Sequence, residues 1–411
     1  MPKPYRFLAT LVLVLSPALS AFALSNLADG AAAAARVELG PILTLVEEAT
    51  GHLAVGKGLG GDVLVTWATP YGTIDSQIRA LRLAATGQPL GPPFVVHHAV
   101  DSLPQVSPDP GWNMKVVPGV GRGFLVTWDD ANPVGGLFAR RVRGRENEIV
   151  EGFEIHSSSS RPAAVALPQG RFLLVYELYS GNLLARRFDP DGRPEGSERE
   201  LAPQGFAPAV VRDAAGNVVI ASFAYDPRDA RRIFLWARRF TPAGAPLGER
   251  RRLDGPFNTE TGVVGVRGAT GIGGVSAFTW ERGGRVRLQF IGADGSFRGQ
   301  TIEVTQEPER AYHDVAVDAA GRALVVWADC CTSGAPAKAR LWTPNGRPLG
   351  PAFVVSSPLR GECCLGIVRQ PVVAARDQGD FFVAWIGENG TASPHPGVPA
   401  IFGVRVTVRD P

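Results

Sequence analysis

The chain of 411 residues is short of net charge: 42 lysines and arginines stand against 39 acids, a balance of +3. A field that weak does not draw nucleic acid or an anionic membrane to the surface. Cysteine is scarce at four residues, and lysine is confined to positions 3, 57, 115 and 338, so nearly every cation is arginine. That bias fits the codon usage of a GC-rich bacterium and bears on source rather than activity. Long apolar runs are missing after the first two dozen residues, and no stretch has the length of a bilayer span. Catalytic signatures are missing too. The chain has no G-x-S-x-G elbow, no H-E-x-x-H pair, no G-x-x-x-x-G-K-[ST] loop and no Ser-x-Asp-x-Gly-x-Thr-Trp repeat of the kind that marks sialidase-like folds.

The chain does have turns and short apolar runs. Forty-nine glycines and 34 prolines make up about a fifth of it and favour many turns over long helices. A hydrophobic share of 45% is far above that of a disordered chain. At the N-terminus, Lys3 and Arg6 precede an apolar run from Phe7 to Leu19, and Ala21-Phe22-Ala23 follows as a small-x-small cleavage site. Residues 1–23 therefore read as a signal peptide. No cysteine lies near the cut to carry a lipid, so a soluble protein, secreted or periplasmic, is expected, with no membrane span once the signal is removed.

The rest of the chain repeats one phrase. Apolar runs end in an aromatic residue at Trp67, Trp128, Tyr176, Phe223, Trp280, Trp327 and Trp385, at spacings of 47 to 61 residues. Around each run the grammar is constant. A short strand such as "PAAVAL" (162–167) comes first, then a Gly-rich turn, then the apolar run. A variable loop follows, then a strand such as "LLARRFDP" (183–190), a turn such as "DGRPEG", and a last strand such as "PAFVV" (351–355). The strands are too short and too rich in Val, Ile, Phe and Trp to be helices, so each copy is a four-stranded antiparallel meander. Apolar runs with no alternation require burial on both faces, which a ring of stacked sheets supplies. The expected fold is all-β: a seven-bladed β-propeller occupying 24–411 as one domain, with the seven blades in 47–408. The last copy lacks a fourth strand, and "ELGPILTLV" (38–46) matches "PLGPPFVV" (89–96) and "PLGPAFVV" (348–355). Residues 35–46 are thus expected to close the ring as an N-terminal strand.

The apolar run ending in Trp, the Ala-Arg-Arg-Phe strand and the Pro-x-Gly-x-Pro-x-Gly turn resemble the repeats of secreted bacterial seven-bladed β-propeller proteins of unassigned activity. The resemblance covers nearly all of residues 35–408. It implies the fold and carries no catalytic residue across.

In a meander, the second-to-third and blade-to-blade loops share one end of the sheet, and here those are the variable ones, as in 68–77, 97–113, 329–338 and 387–400. Variable loops on a rigid scaffold are where binding usually resides. All four cysteines fall in them, as the pairs Cys330-Cys331 and Cys363-Cys364. In an exported protein they are expected to be disulfide-bonded. Crosslinks between the two loops strain the chain less than bonds within a pair, while a vicinal redox pair or a soft-metal thiolate site are the alternatives. Asp129, Asp130, Glu177, Glu281 and Asp329 follow the aromatic ends and form a candidate ligand-binding ring at the channel mouth. No cofactor or resident metal is implied, although such a ring would suit Ca²⁺; solvated loop starts and partners for the strand arginines are the plainer reading. The pairs Arg140/Arg141, Arg186/Arg187 and Arg238/Arg239 recur at one point of the repeat and read as ion pairs along or between blades. His97-His98 has no fixed third ligand and reads as loop.

The expectation is an exported monomeric binding or interaction module. Its partner would be an extracellular protein, a glycan or a small molecule, held on the variable face. The alternatives are a hydrolase or lyase acting on an extracellular polymer, and a metal-binding or thiol-redox protein acting through the cysteine pairs.

Overall fold

The computed structural model describes residues 36–47, 51–58, 60–68, 77–98, 114–120, 123–130, 136–144, 147–157, 159–258, 265–306, 311–329, 335–356, 368–388 and 399–409. Two short strands, β1 (Arg36–Leu39) and β2 (Leu43–Val46), precede the first blade. Blade 1 contains β3 (Gly51–Lys57), β4 (Val63–Ala68), β5 (Gln77–Leu83) and β6 (Phe94–His98), and blade 2 contains β7 (Lys115–Val120), β8 (Gly123–Asp130), β9 (Gly136–Arg143) and β10 (Glu148–Ser157). Blade 3 follows with β11 (Ser159–Ala166), β12 (Phe172–Leu178), β13 (Leu183–Phe188) and β14 (Pro194–Ala202), and blade 4 with β15 (Gly205–Arg212), β16 (Val218–Asp226), β17 (Asp229–Phe240) and β18 (Pro246–Asn258). Blade 5 holds β19 (Arg267–Thr270), β20 (Ser276–Arg282), β21 (Arg285–Ile291) and β22 (Phe297–Glu303), and blade 6 holds β23 (Ala311–Val317), β24 (Ala323–Asp329), β25 (Lys338–Trp342) and β26 (Phe353–Val354). Blade 7 has β27 (Arg369–Asp377), β28 (Asp380–Glu388) and β29 (Pro399–Arg409), completed from the N-terminus by β1 and β2. Every pairing is antiparallel, and the chain is a seven-bladed propeller. No helix among the described residues is long and apolar enough to cross a membrane.

Local chemistry sets the turns. Between β13 and β14, Asp189 Oδ1 accepts the N–H groups of Asp191 and Arg193, each at 2.8 Å, and Gly192 takes the left-handed φ of 83° that the turn requires. Asp213 and Asp318 do the same between the first and second strands of blades 4 and 6, accepting the N–H groups of Asn217 and Arg322 at 2.8 Å. An Asp that closes its own turn leaves the flanking residues free to pair as strands.

The core is divided. Seven apolar clusters are buried, and each joins the inner faces of two adjacent blades, one cluster at each of the seven interfaces. Trp67, Trp280 and Trp385, the aromatic ends of three apolar runs, are wholly buried there. A second strand such as β4 is buried at all six positions because its two faces serve two different clusters. This is why the sequence shows no alternation in that strand.

The ring closes through the N-terminus, as the matching LGP segments imply. In place of one continuous strand, β1 and β2 lie end to end along β29, with Arg36 opposite Arg409 and Leu43 opposite Gly403. The break falls at Gly40-Pro41, where proline has no N–H for the ladder and Gly40 N donates to Arg405 O at 2.9 Å. The equivalent LGP segments of blades 1 and 6 break in the same way, leaving only single bridges from Leu83 to Pro89 and from Trp342 to Pro348. Blade 4 departs from the aromatic alignment. Ala221 pairs with Ala237 as Val175 pairs with Ala185, so Ser222 occupies the register of Tyr176, and Phe223 falls one residue later. The run "GNVVIASF" is one residue longer than "GRFLLVY", which moves its aromatic residue by one.

Candidate functional site

The first strands of the blades, β3, β7, β11, β15, β19, β23 and β27, each lie at the end of their sheet. Their open edges surround a cavity of about 650 Å³ that runs along the propeller centre. The residues lining it are mostly Ala, Val and Gly, and none of these first strands has a strand neighbour on its channel side.

Strand register shows where the charge sits. In four blades the first-strand residue that pairs one step below the aromatic register of the second strand is small or apolar: Ala54, opposite Thr66; Ala163, opposite Val175; Ala209, opposite Ala221; and Val372, opposite Ala384. In the other three blades the same register position is Lys115, opposite Thr127; Arg267, opposite Thr279; and Asp314, opposite Val326. All three line the cavity. Two cations and one carboxylate thus share a single layer of the channel, on blades 2, 5 and 6. The three are close enough to shift one another. Burial first, then the Arg267 guanidinium, holds the Lys115 ammonium well below its ordinary range, against the opposing pull of Asp314 and Asp129. Burial raises the Asp314 carboxyl, although Arg267 acts to lower it. At the far end of the channel the charges close into pairs: Lys57 with Asp377 at 3.3 Å, and Arg322 with Asp318 at 2.8 Å.

The mouth above this layer is built from bulges. In β3, β11, β15 and β27 the ladder slips one or two residues after the start, and His52, Arg161, Ala207 and Gln370 take left-handed φ values of 46 to 52°. Such residues cost about 1–3 kcal/mol each unless the surroundings hold them. Here the neighbouring blade does so. Asp129 Oδ2 accepts Arg161 N at 3.2 Å, and Glu177 Oε2 accepts Ala207 N at 3.3 Å as well as an Arg161 guanidinium N–H at 3.1 Å. Gln370 Oε1 accepts Leu53 N at 3.0 Å across the ring closure, and Asp314 Oδ2 accepts Val373 N at 3.0 Å. Beside this rim, burial depresses the imidazole of His52 to about 4 and that of His313 to about 3, with the Arg267 charge assisting at His313. His313 Nδ1 is hydrogen-bonded to the Thr279 hydroxyl at 3.1 Å.

The five acids singled out from the sequence each lie within the last two residues of the second strand of a blade, but they occupy different surroundings. Asp129 and Glu177 support the bulge of the next blade, as above. Glu281 accepts Gly284 N in the turn between β20 and β21. Asp329 ends β24 opposite Ala311, and Asp130 pairs through its backbone with Gly136. Among the described residues no three His, Cys, Asp or Glu side chains converge as a metal-ligand set. Cys330, Cys331, Cys363 and Cys364 lie outside the described residues, as does the cleavage segment 1–23. The His97 ring lies 4.9 Å from that of Trp128, and His98 pairs through its backbone with Gln77. The recurrent arginines tie blades and hairpins together. Arg141 reaches Asp191 of blade 3 at 3.2 Å, Arg187 meets Glu195 at 2.7 Å, Arg239 meets Asp213, and Arg140 donates to Val96 O of blade 1 at 2.7 Å. The sequence reading missed Lys115, Arg267 and Asp314. Their signal was a charge 13 residues before the aromatic end of the run, at a repeat position that other blades fill with alanine or valine.

No protein-family model matches the chain, and no curated protein matches it in sequence. Solved structures match it in shape. A protein of unknown function from Dyadobacter fermentans superposes with a TM-score of 0.50 at 11% identity, over 91% of this chain and 99% of that one. The polysaccharide lyase Uly1 gives 0.52 at 10% identity over 90% and 99% of the two chains. A polysaccharide lyase of the ulvan lyase family, bound to -[GlcA(1-4)Rha3S]-, gives 0.52 at 9% identity over 88% and 95%. At such identities the likeness is one of fold: the chain shares the propeller architecture with proteins of differing or unknown activity.

Proposed function

We propose that this protein is an exported binding module that takes its ligand at the variable-face mouth of the propeller channel. One observation carries this reading. The charged layer of Lys115, Arg267 and Asp314 lies at the variable-face end of a cavity walled mostly by Ala, Val and Gly, in the register where four other blades carry Ala or Val. The fold does not need charge there, and charge placed in a concave site marks a place of recognition. The rim that surrounds it is held by hydrogen bonds between blades, so the mouth is formed before a ligand arrives.

The test is a screen of the mature chain against immobilised extracellular polysaccharides, followed by hydroxyl-radical footprinting of whichever complex forms. Tyr312 lines the channel at the variable-face end, and Ile272 is 72% exposed at the opposite end. Protection of Tyr312 with Ile272 unchanged is the expected result. Protection of Ile272 alone overturns the placement. Shortening of the bound polymer during incubation would replace the binding reading with that of a polymer-cleaving enzyme.

A further inference from the structure

We propose that the groove between the outer halves of blades 3 and 4 is a second binding site, separate from the channel mouth, and that it takes the sulfate groups of an anionic polysaccharide. The geometry behind it is a row of arginines held over aromatic rings on the blade 4 side of that groove.

Strand periodicity builds the row. Phe234, Trp236, Arg238 and Phe240 alternate along β17, where Phe240 packs toward blade 3 while Ile233, Leu235 and Ala237 pack toward blade 5. The row therefore faces blade 3. Arginines cover it: the guanidinium of Arg250 lies 4.1 Å from the centre of a Trp236 ring, that of Arg252 5.4 Å from Phe234, and that of Arg238 5.9 Å from Phe240. Across the groove, Arg199 pairs with Ala185 on the face of blade 3 turned to blade 4. It lies against Gly244 of the β17–β18 turn, where a Cβ would meet its Cδ at 2.7 Å. Beside it a cavity of about 220 Å³ opens between the two blades.

Charge is the second argument. Arg199, Arg238, Arg250 and Arg252 have no carboxylate partner among the described residues, and Arg238 donates only to Gly248 O at 2.9 Å. The acids of β14 and β18 are mostly engaged elsewhere. Glu195 is shared by Arg171 and Arg187 at 2.9 and 2.7 Å. Glu198 meets the Tyr176 hydroxyl and Arg186, and Glu200 pairs with Leu184, both on the face of blade 3 turned to blade 2. Asp254 accepts from Trp280, Arg282 and Arg287 of blade 5. Glu249 is the one acid of the two strands left to set against four cations. The groove is thus cationic although the whole chain is nearly balanced.

The third argument selects the occupant. A guanidinium held over a ring is oriented by it and keeps N–H groups for an oxyanion. The Phe234 and Trp236 rings are 6.1 Å apart, so the two forks over them are neighbours. A sulfate ester has three terminal oxygens and bridges both forks, whereas the two oxygens of a carboxylate are used up by one. Nucleic acid would stack its bases on bare aromatic faces, and here guanidinium groups occupy the approach to the rings. An acidic peptide would pair along the β18 edge, but three register shifts in the β17–β18 ladder and the left-handed Gly248 and Gly255 bend that edge away from a straight template. A polysaccharide needs neither bare rings nor a straight edge.

The experiment is fluorescence anisotropy at physiological salt with labelled dextran sulfate, carboxymethyl dextran, single-stranded DNA and polyglutamate. The proteins are wild type, the double variant Arg250→Gln with Arg252→Gln, and Arg347→Gln, which removes an exposed charge from blade 6 instead. All three positions are exposed, so the variants are expected to fold, and circular dichroism checks that. Wild type is expected to bind dextran sulfate about tenfold more tightly than the other probes, the double variant to lose about tenfold, and Arg347→Gln to stay within about twofold. Absence of binding in wild type, or an equal loss in Arg347→Gln, overturns the groove. Carboxymethyl dextran bound as tightly overturns the sulfate assignment, and DNA or polyglutamate bound as tightly overturns the polysaccharide. Radical footprinting separates this site from the channel mouth: protection of Tyr312 in place of Trp236 by dextran sulfate overturns the groove and leaves the mouth standing.

Discussion

Replacing His313 by asparagine should change how the stability of the propeller depends on pH, and the structure gives the size of the effect. His313 is 4% exposed between blades 5 and 6, bonded to the Thr279 hydroxyl, with its pKa lowered from 6.5 to about 3. Its folded pKa lies below its unfolded one. Between those values the unfolded chain binds a proton that the folded chain refuses, so the stabilisation is complete above pH 6.5 and is lost as the pH falls toward 3. Each pH unit in that window costs about 1.4 kcal/mol, hence about 2 kcal/mol by pH 5 and on the order of 5 kcal/mol in all. The asparagine side chain would keep a polar atom near Thr279 but has no proton to take up. At pH 7.5 the variant should be less stable than wild type by about 1–3 kcal/mol for lost packing and an imperfect hydrogen bond. That deficit should shrink by about 2 kcal/mol by pH 5, as wild type alone weakens. Urea unfolding followed by tryptophan fluorescence at pH 7.5, 6 and 5 measures the difference, and titrating carboxylates cancel between the two proteins. A deficit that stays constant across that range would refute the claim that His313 is held neutral by burial.

Other consequences are as direct. Glu177→Ala removes the acceptor for Ala207 N and the partner of Arg161, and should cost about 1–3 kcal/mol in chemical unfolding, whereas Glu177→Gln keeps an acceptor and should cost less than half as much. Gln370→Ala strands the Leu53 N–H at the junction of blades 7 and 1 and should cost a similar 1–3 kcal/mol, with hydrogen exchange accelerated first in β3 and β27 rather than in blade 4. Removal of residues up to Val46 exposes the outer edge of β29, and gel filtration with thermal scanning should show a lower melting temperature and new oligomers. Asp318→Ala deletes the acceptor for the N–H groups of Ala320, Arg322 and Gly379 and removes the carboxylate paired with the buried Arg322 guanidinium, so a loss of about 3–5 kcal/mol is expected in urea unfolding.

The sequence by itself determined the blade. Short runs rich in Val, Phe and Trp, separated by Asp-Gly and Pro-Gly turns, can form little except antiparallel hairpins, and their missing alternation already demanded burial on both faces. It also determined closure. An unpaired LGP segment at the N-terminus and a blade with three strands at the other end have one economical solution, which β1, β2 and β29 adopt. These features are local, or repeat often enough to behave as local ones, so pattern reveals them.

What tertiary structure alone decided is that one row of the repeat faces the channel. Lys115, Arg267 and Asp314 are up to 199 residues apart in the chain, yet each stands 13 residues before the aromatic end of its blade, as do Ala54, Ala163 and Val372. Only blade 4, with its extra residue before Phe223, is displaced by one. The row was therefore alignable in sequence, but which positions of a first strand line the channel depends on how the seven sheets pack around it. The acids that did stand out in sequence, Asp129 and Glu177, stood out because an acid follows the aromatic residue within two positions in four of the seven blades. In the structure both hold the neighbouring bulge. A binding site on a ring of repeats lies where the copies differ, and which differences face one another is settled by the backbone hydrogen bonds that fix each strand in its sheet.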